Sequence, residues 1–222
     1  MYFGRCIFSC PSLYCKSSAS PVHYAEAMAE LMSQVNLVAT KKSPDLLWFL
    51  QHHDVYTSGA SADCSDVLDI TAVPVKTDRG GKYTYHGPGQ LIIYPVLDLN
   101  SIYDNKPDIR KFVADMSSWI VRSLNSLDIT CFSDGDNIGI WSYDKEGHKK
   151  KIASLGFKIK KWVSYHGIAL NVSTDLSKFQ AIKPCGLSAE TMSSLQDLGY
   201  SITINQITEC LLQNFLMMFN IS

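Results

Sequence analysis

Nowhere does this chain of 222 residues hold an unbroken apolar run of the roughly 18 residues that a membrane span needs. Its most apolar stretch, residues 210–221, is interrupted by Gln213, Asn214 and Asn220. Net charge is missing too, since 20 Lys and Arg stand against 21 Asp and Glu for a formal charge of -1. The densest basic cluster, Lys149, Lys150 and Lys151, is too short for a protein that works by neutralising nucleic-acid backbones. Seven cysteines, at positions 6, 10, 15, 64, 131, 185 and 210, are an odd number without paired metal-ligand spacing. They speak against a disulfide framework and a metal site, and for a reducing compartment. No acidic residue precedes Glu26, and serines are frequent there, as in a transit peptide, but the only cations are Arg5 and Lys16. Pro11 and the early cysteines break any secretory apolar region. The expectation is a bacterial cytoplasmic protein, with a mitochondrial or other organellar location as the alternative if residues before Pro21 are a transit peptide.

What is present belongs to a folded globular chain: 46% hydrophobic, 11% aromatic and 18% charged residues. Tyr24, Met28, Leu31 and Met32 recur at helical spacing after Pro21, predicting a helix over 23–35. The apolar run 46–50 predicts a buried strand, and 73–76 and 91–97 are further strand candidates. Ile109, Phe112, Val113, Met116, Trp119, Ile120 and Leu124 fall on one face and predict a helix over 106–126. Short β-type runs follow at 129–132, 138–141, 152–159 and 163–172, with a polar hairpin turn at 143–150, then two closing helices at 187–198 and 202–219. The irregular alternation predicts an α+β fold, a mixed β-sheet flanked by helices. Residues 1–20 read as an N-terminal extension and 21–222 as a single domain.

Three segments carry chemistry. Arg79-Gly80-Gly81-Lys82-Tyr83-Thr84-Tyr85-His86-Gly87-Pro88-Gly89-Gln90 places four glycines in twelve residues before a strand, which lets backbone approach a ligand closely. Two tight turns joining strands explain the same composition. Cys185, between Pro184 and Gly186, precedes the helix expected from Ser188, whose N-terminal dipole favours a thiolate. An inert core cysteine is the ordinary alternative. Lys151 adjoins the apolar run that starts at Ile152, which predicts a partly buried ammonium that can lose its proton and serve as a base, while Lys149 and Lys150 read as solvated hairpin residues. His166, in Tyr165-His166-Gly167, fits a core residue as well as a functional one.

Together these segments resemble the octanoyl-acyl-carrier-protein:protein octanoyltransferases of lipoate biosynthesis, also called lipoyl(octanoyl) transferases. The similarity lies in Arg79-Gly80-Gly81 with Thr84 to Gln90, then Tyr94-Pro95 and Leu97-Asp98-Leu99. Lys151-Ile152-Ala153 with Gly156, Tyr165-His166-Gly167 with Ala169-Leu170-Asn171, and Pro184-Cys185-Gly186 follow in the family's order, and Tyr56-Thr57-Ser58-Gly59 is similar to an earlier turn. The resemblance runs from about Pro21 to Leu198 and implies a biotin/lipoate protein ligase-like catalytic domain. It further implies that Cys185 is the acyl-thioester nucleophile and that Lys151 lowers its pKa and handles protons. Arg79, Gly80, Gly81, Lys82, Tyr83, Thr84, Tyr85 and His86, then Ser154, Leu155 and Gly156, then Gly167, Ile168 and Ala169 would line the acyl pocket. Backbone N–H groups of Gly80 and Gly81, or of Gly167, are candidate oxyanion donors.

The implied reaction moves an octanoyl group from octanoyl-acyl carrier protein to a lysine ε-amine on lipoyl domains of 2-oxoacid dehydrogenase E2 subunits and the glycine cleavage H protein. No ATP, metal or other cofactor is implied, nor a nucleic acid or membrane partner, and a monomer is expected. A free thiol with a pKa of about 8.5 is only about 3% thiolate at neutral pH, so the reaction calls for an activating partner near Cys185. Lys149, Lys150, Lys158, Lys160 and Lys161 would offer acidic carriers a basic patch, or else only solvate a hairpin. An ATP-dependent lipoate or biotin ligase is the competing enzyme, and a non-catalytic holder of acylated carrier protein is the competing binding module. Neither needs both Cys185 and Lys151.

Overall fold

In the computed structural model, which describes residues 5–9, 12–69 and 71–221, apolar strands stack into one large sheet. Along the chain come β1 (Arg5–Ser9), β2 (Leu13–Ser17), α1 (Tyr24–Ala39), β3 (Asp45–Leu50), β4 (Val55–Ser58), β5 (Val75–Lys76), β6 (Tyr83–His86) and β7 (Gln90–Val96). Then follow α2 (Leu99–Ile102), α3 (Ile109–Asn125), β8 (Phe132–Ser133), β9 (Ile140–Tyr143), β10 (Lys149–Lys160), β11 (Val163–Asn171) and α4 (Ile204–Met218). The eight-stranded sheet runs β1-β2-β3-β7-β11-β10-β9-β8, and a small sheet of order β5-β4-β6 stands beside it. The sheet is mixed, since β2 and β3 pair in parallel while β3, β7, β11, β10 and β9 pair antiparallel.

Both faces of the central strands are covered, which is why β3 reads as an unbroken apolar run rather than an alternation. Leu47 and Phe49 point to one core, with Leu91 and Ile93 of β7 and with Phe112, Met116, Trp119 and Ile120 of α3. Leu46, Trp48 and Leu50 point to the other, with Leu31, Val35 and Val38 of α1. Asp108 caps α3 by accepting from the Arg110 and Lys111 amides, and Thr203 with Gln206 forms a capping box on α4. Among the described residues no helix is long and apolar enough to cross a membrane.

Three expectations change. Leu13–Ser17, inside the stretch expected to lie outside the domain, is β2, with Leu13 and Cys15 fully buried. Residues 187–198 do not form a helix; only Ala189–Thr191 makes a 3-10 turn. Their backbone instead bonds to the ends of β10 and β11, as the Ser193, Leu195 and Gln196 amides donate to the carbonyls of Lys151, Asn171 and Val172. Ile109, expected on the buried face of α3, is 48% exposed at the rim of a groove.

At Gly167, where β11 crosses β7, a Cβ would lie 1.9 Å from the Ile93 carbonyl oxygen. Gly167→Ala is therefore expected to force the two strands apart and to cost about 1–3 kcal/mol, read as a lowered urea midpoint. An unchanged midpoint would mean that the sheet absorbs the methyl group.

Candidate active site

Three stretches distant in sequence converge on one cavity of about 50 Å³: the start of the glycine-rich loop, the middle of the β10–β11 hairpin, and the turn that carries Cys185. The hairpin register sets Ser154, Leu155 and Gly156 opposite Ala169, Ile168 and Gly167. Every expected pocket residue lines this cavity except Tyr83 and Tyr85. Strand alternation explains the exceptions, because β6 turns Thr84 and His86 to the cavity and sends Tyr83 and Tyr85 into a separate cluster with Phe179 and Ile182. Tyr24 and Ile92 also line the cavity, though no motif singled them out, and so does Tyr94 of the Tyr94-Pro95 motif.

Cys185 occupies a 3-10 turn, Pro184–Gly186, with left-handed backbone angles (φ 55°, ψ 21°). Such a conformation costs a non-glycine residue of order 1–3 kcal/mol and is held here by the bonds from Gly186 N to Lys183 O and from Leu187 N to Pro184 O. The expected α-helix after Ser188 is absent, so no helix dipole acts on the sulfur. The Cys185 Sγ lies 3.6 Å from Ser154 Oγ. It also faces a second, open groove of about 620 Å³, whose lining includes Lys151, Lys82 and Lys158.

Lys151 is 3% exposed and sits beside a β-bulge in the β9–β10 pairing. Its Nζ donates to the Ile138 carbonyl at 2.9 Å and stands 5.3 Å from the Trp141 ring centroid. Gly139 makes the room, since a Cβ there would fall 2.5 Å from Lys151 Cε. Lys151 and Cys185 thus line the same groove. Of the expected oxyanion donors, the Gly80 amide is already committed to the Phe157 carbonyl.

Around the cavity the polar groups are paired, and except for the exposed Asp78 they are buried. Arg79 donates to the Thr57 hydroxyl and carbonyl and to the Gly80 carbonyl. Asp78, which no motif had marked, accepts from Tyr165 and pairs with His166 Nε2 at 2.8 Å. Burial would raise the Asp78 carboxyl, but the His166 and Tyr165 bonds outweigh it and hold the group below its ordinary value. His52 Nδ1 lies 2.8 Å from the Val22 carbonyl, which only accepts, so Nδ1 carries the hydrogen and Nε2 accepts from the Tyr94 hydroxyl.

Burial pushes His52 down to about 4, and it holds His86 and His166 below the ordinary histidine value as well. The unfolded chain therefore binds more protons than the folded one below about pH 6.5, and stability is lost as pH falls through that window. Asp45 acts in the opposite sense, because burial raises it to about 7 and its folded form keeps a proton that the unfolded chain releases. With three histidines against one carboxyl, the urea midpoint is expected to fall between pH 7 and pH 5. His52→Asn should make that fall shallower; an equal fall in the variant would remove His52 as its source.

The comparisons bear on this geometry. A relative from Anaplasma phagocytophilum named Octanoyltransferase is 40% identical over 203 residues, covering 91% of this chain and 96% of its own. One from Wolbachia pipientis with the same name is 39% identical over 198 residues, covering 89% and 95%. The fold is similar to that of a bipartite lipoate protein ligase from Thermoplasma acidophilum (TM-score 0.69, 18% identity, 95% of this chain and 84% of that one). It is also similar to a lipoate-protein ligase A bound with ATP (TM-score 0.63, 19% identity, 86% and 81%). The match to the family described as Lipoyl protein ligase A/B catalytic domain spans residues 23–216, and the chain belongs to that family.

Proposed function

We propose that this chain is an octanoyltransferase of protein lipoylation that works through an acyl-thioester on Cys185. The observation that carries the proposal is the position of Cys185 where the wide groove holding Lys151 meets the small cavity. Full-length relatives named Octanoyltransferase support it. The bacterial source of those relatives agrees with a cytoplasmic enzyme.

In the first step the Cys185 thiolate attacks the carbonyl carbon of octanoyl-acyl carrier protein. A C–S bond to Cys185 forms, the donor's C–S bond breaks, and the Lys151 ammonium protonates the departing thiolate. In the second step the ε-amine of a lysine on a lipoyl domain attacks the acyl-enzyme. The amide C–N bond forms, the Cys185 C–S bond breaks, and Lys151 takes the amine's proton. Thioester exchange is near isoenergetic and amide formation is downhill, so the chemistry calls for neither ATP nor a metal. Gly81 or Gly167 amides would face the tetrahedral oxyanion.

Acidic carrier domains would dock along the groove rim. Lys149 is paired with Asp134, and Lys150 with Asp144 and the Glu190 carbonyl. Of the five expected cations, Lys158, Lys160 and Lys161 are the exposed ones. Reversing charge at Lys160 and Lys161 is expected to raise the KM for carrier protein at low salt with little change in kcat. An unchanged KM would take these lysines off the docking surface.

The central test is intact-mass spectrometry after mixing the protein with octanoyl-acyl carrier protein in the absence of ATP. The expected product is one octanoyl adduct that disappears in Cys185→Ser, with Lys151→Ala slowing its formation about 10²–10⁴-fold. Absence of the adduct, together with transfer to a lipoyl domain only when ATP is added, would overturn the proposal in favour of a ligase.

A further inference from the structure

Three hollows follow one another through the fold. The wide groove meets the small cavity at Cys185 and the neighbouring loop residues. On its other side that cavity shares Tyr24 and His166 with a second groove of about 510 Å³, which runs along α1. The two grooves have no lining residue in common. Cys185 therefore stands at one end of the cavity, and Tyr24 and His166 close the other.

Of these three hollows the cavity is by far the smallest, so what bounds it decides how long a chain it takes. His166 is pinned, with its Nε2 on Asp78 and its backbone in the β11 ladder. Tyr24 is the first residue of α1, and its ring packs against two other rings, 6.2 Å from His86 and 5.2 Å from His52. Behind it the far groove is lined by Met28 and Met32, which follow Tyr24 at intervals of four along α1. A chain that passed Tyr24 would meet these two adaptable thioether side chains.

We propose that the Tyr24 ring is the end wall of the acyl cavity and sets the upper limit of the chain length that Cys185 accepts. The proposal rests on the acyl-transfer reading above. Removing the ring joins the cavity to the Met28–Met32 groove and gives a longer chain room to bury its extra methylenes, each contributing about fourfold.

The test is the rate of Cys185 acylation with octanoyl- and dodecanoyl-acyl carrier protein, measured by intact mass on the parent chain and on Tyr24→Ala, Tyr24→Leu and Tyr24→Phe. In Tyr24→Ala the dodecanoyl-to-octanoyl rate ratio is expected to rise about tenfold or more, in Tyr24→Leu by less, and in Tyr24→Phe to stay within about twofold of the parent. If Tyr24→Ala fails to fold, Tyr24→Leu carries the comparison. A ratio within about twofold of the parent in the folded small-residue variant overturns the end wall. A parent chain that forms no octanoyl adduct would instead overturn the transfer reading, so the two failures are separable.

Discussion

Gln90 at the start of β7 and Asn171 at the end of β11 are each 1% exposed, and Gln90 Nε2 donates to Asn171 Oδ1 at 2.9 Å. From this contact bonds run both ways. Gln90 Oε1 meets His86 Nδ1 at 2.7 Å, which fixes the end of the glycine-rich segment. Asn171 Nδ2 donates to the Ser193 carbonyl, and the Ser193 amide donates to the carbonyl of Lys151. The two amides therefore tie the loop that walls the cavity to the strand that carries Lys151, and they draw the segment after Cys185 against the sheet. Either amide without the other would leave a buried polar group unpaired, at about 1–3 kcal/mol, so this connection is held far more firmly than its two side chains suggest.

Around it the fold anchors the two side chains proposed to react. Lys151 rises from the inner face of β10 beside a bulge, with its ammonium braced by the Ile138 carbonyl. Cys185 alone sits on a turn, and that turn is anchored by the Lys183 amide on the Asp66 carbonyl and by the packing of Pro184. A strained backbone angle at the thiol persists because its neighbours overdetermine it.

Much of this was legible along the chain, and the parts that were not have physical causes. The buried strand at 46–50 and the helix with Phe112, Met116 and Trp119 announced themselves because a core on both faces, or on one helical stripe, writes a regular apolar period. The motif segments named the cavity wall almost completely. Tyr83 and Tyr85 were misplaced because adjacent strand residues in one motif point to opposite faces. The 187–198 stretch showed apolar residues at helical intervals, yet its amides had better partners on β10 and β11 than within the segment itself. Tyr24 and Asp78 went unmarked because what distinguishes them is contact with residues more than fifty positions away, and local spacing carries no trace of that.

The narrowness of the cavity has a consequence of its own under the proposed transfer. It rewards a guest through the methylenes it buries, at about 0.8 kcal/mol apiece. A two-carbon acyl group brings too few of them to gain much from the apolar wall. The enzyme would thereby discriminate against the abundant short thioesters of metabolism, a filter that reads a substrate by how much grease it carries.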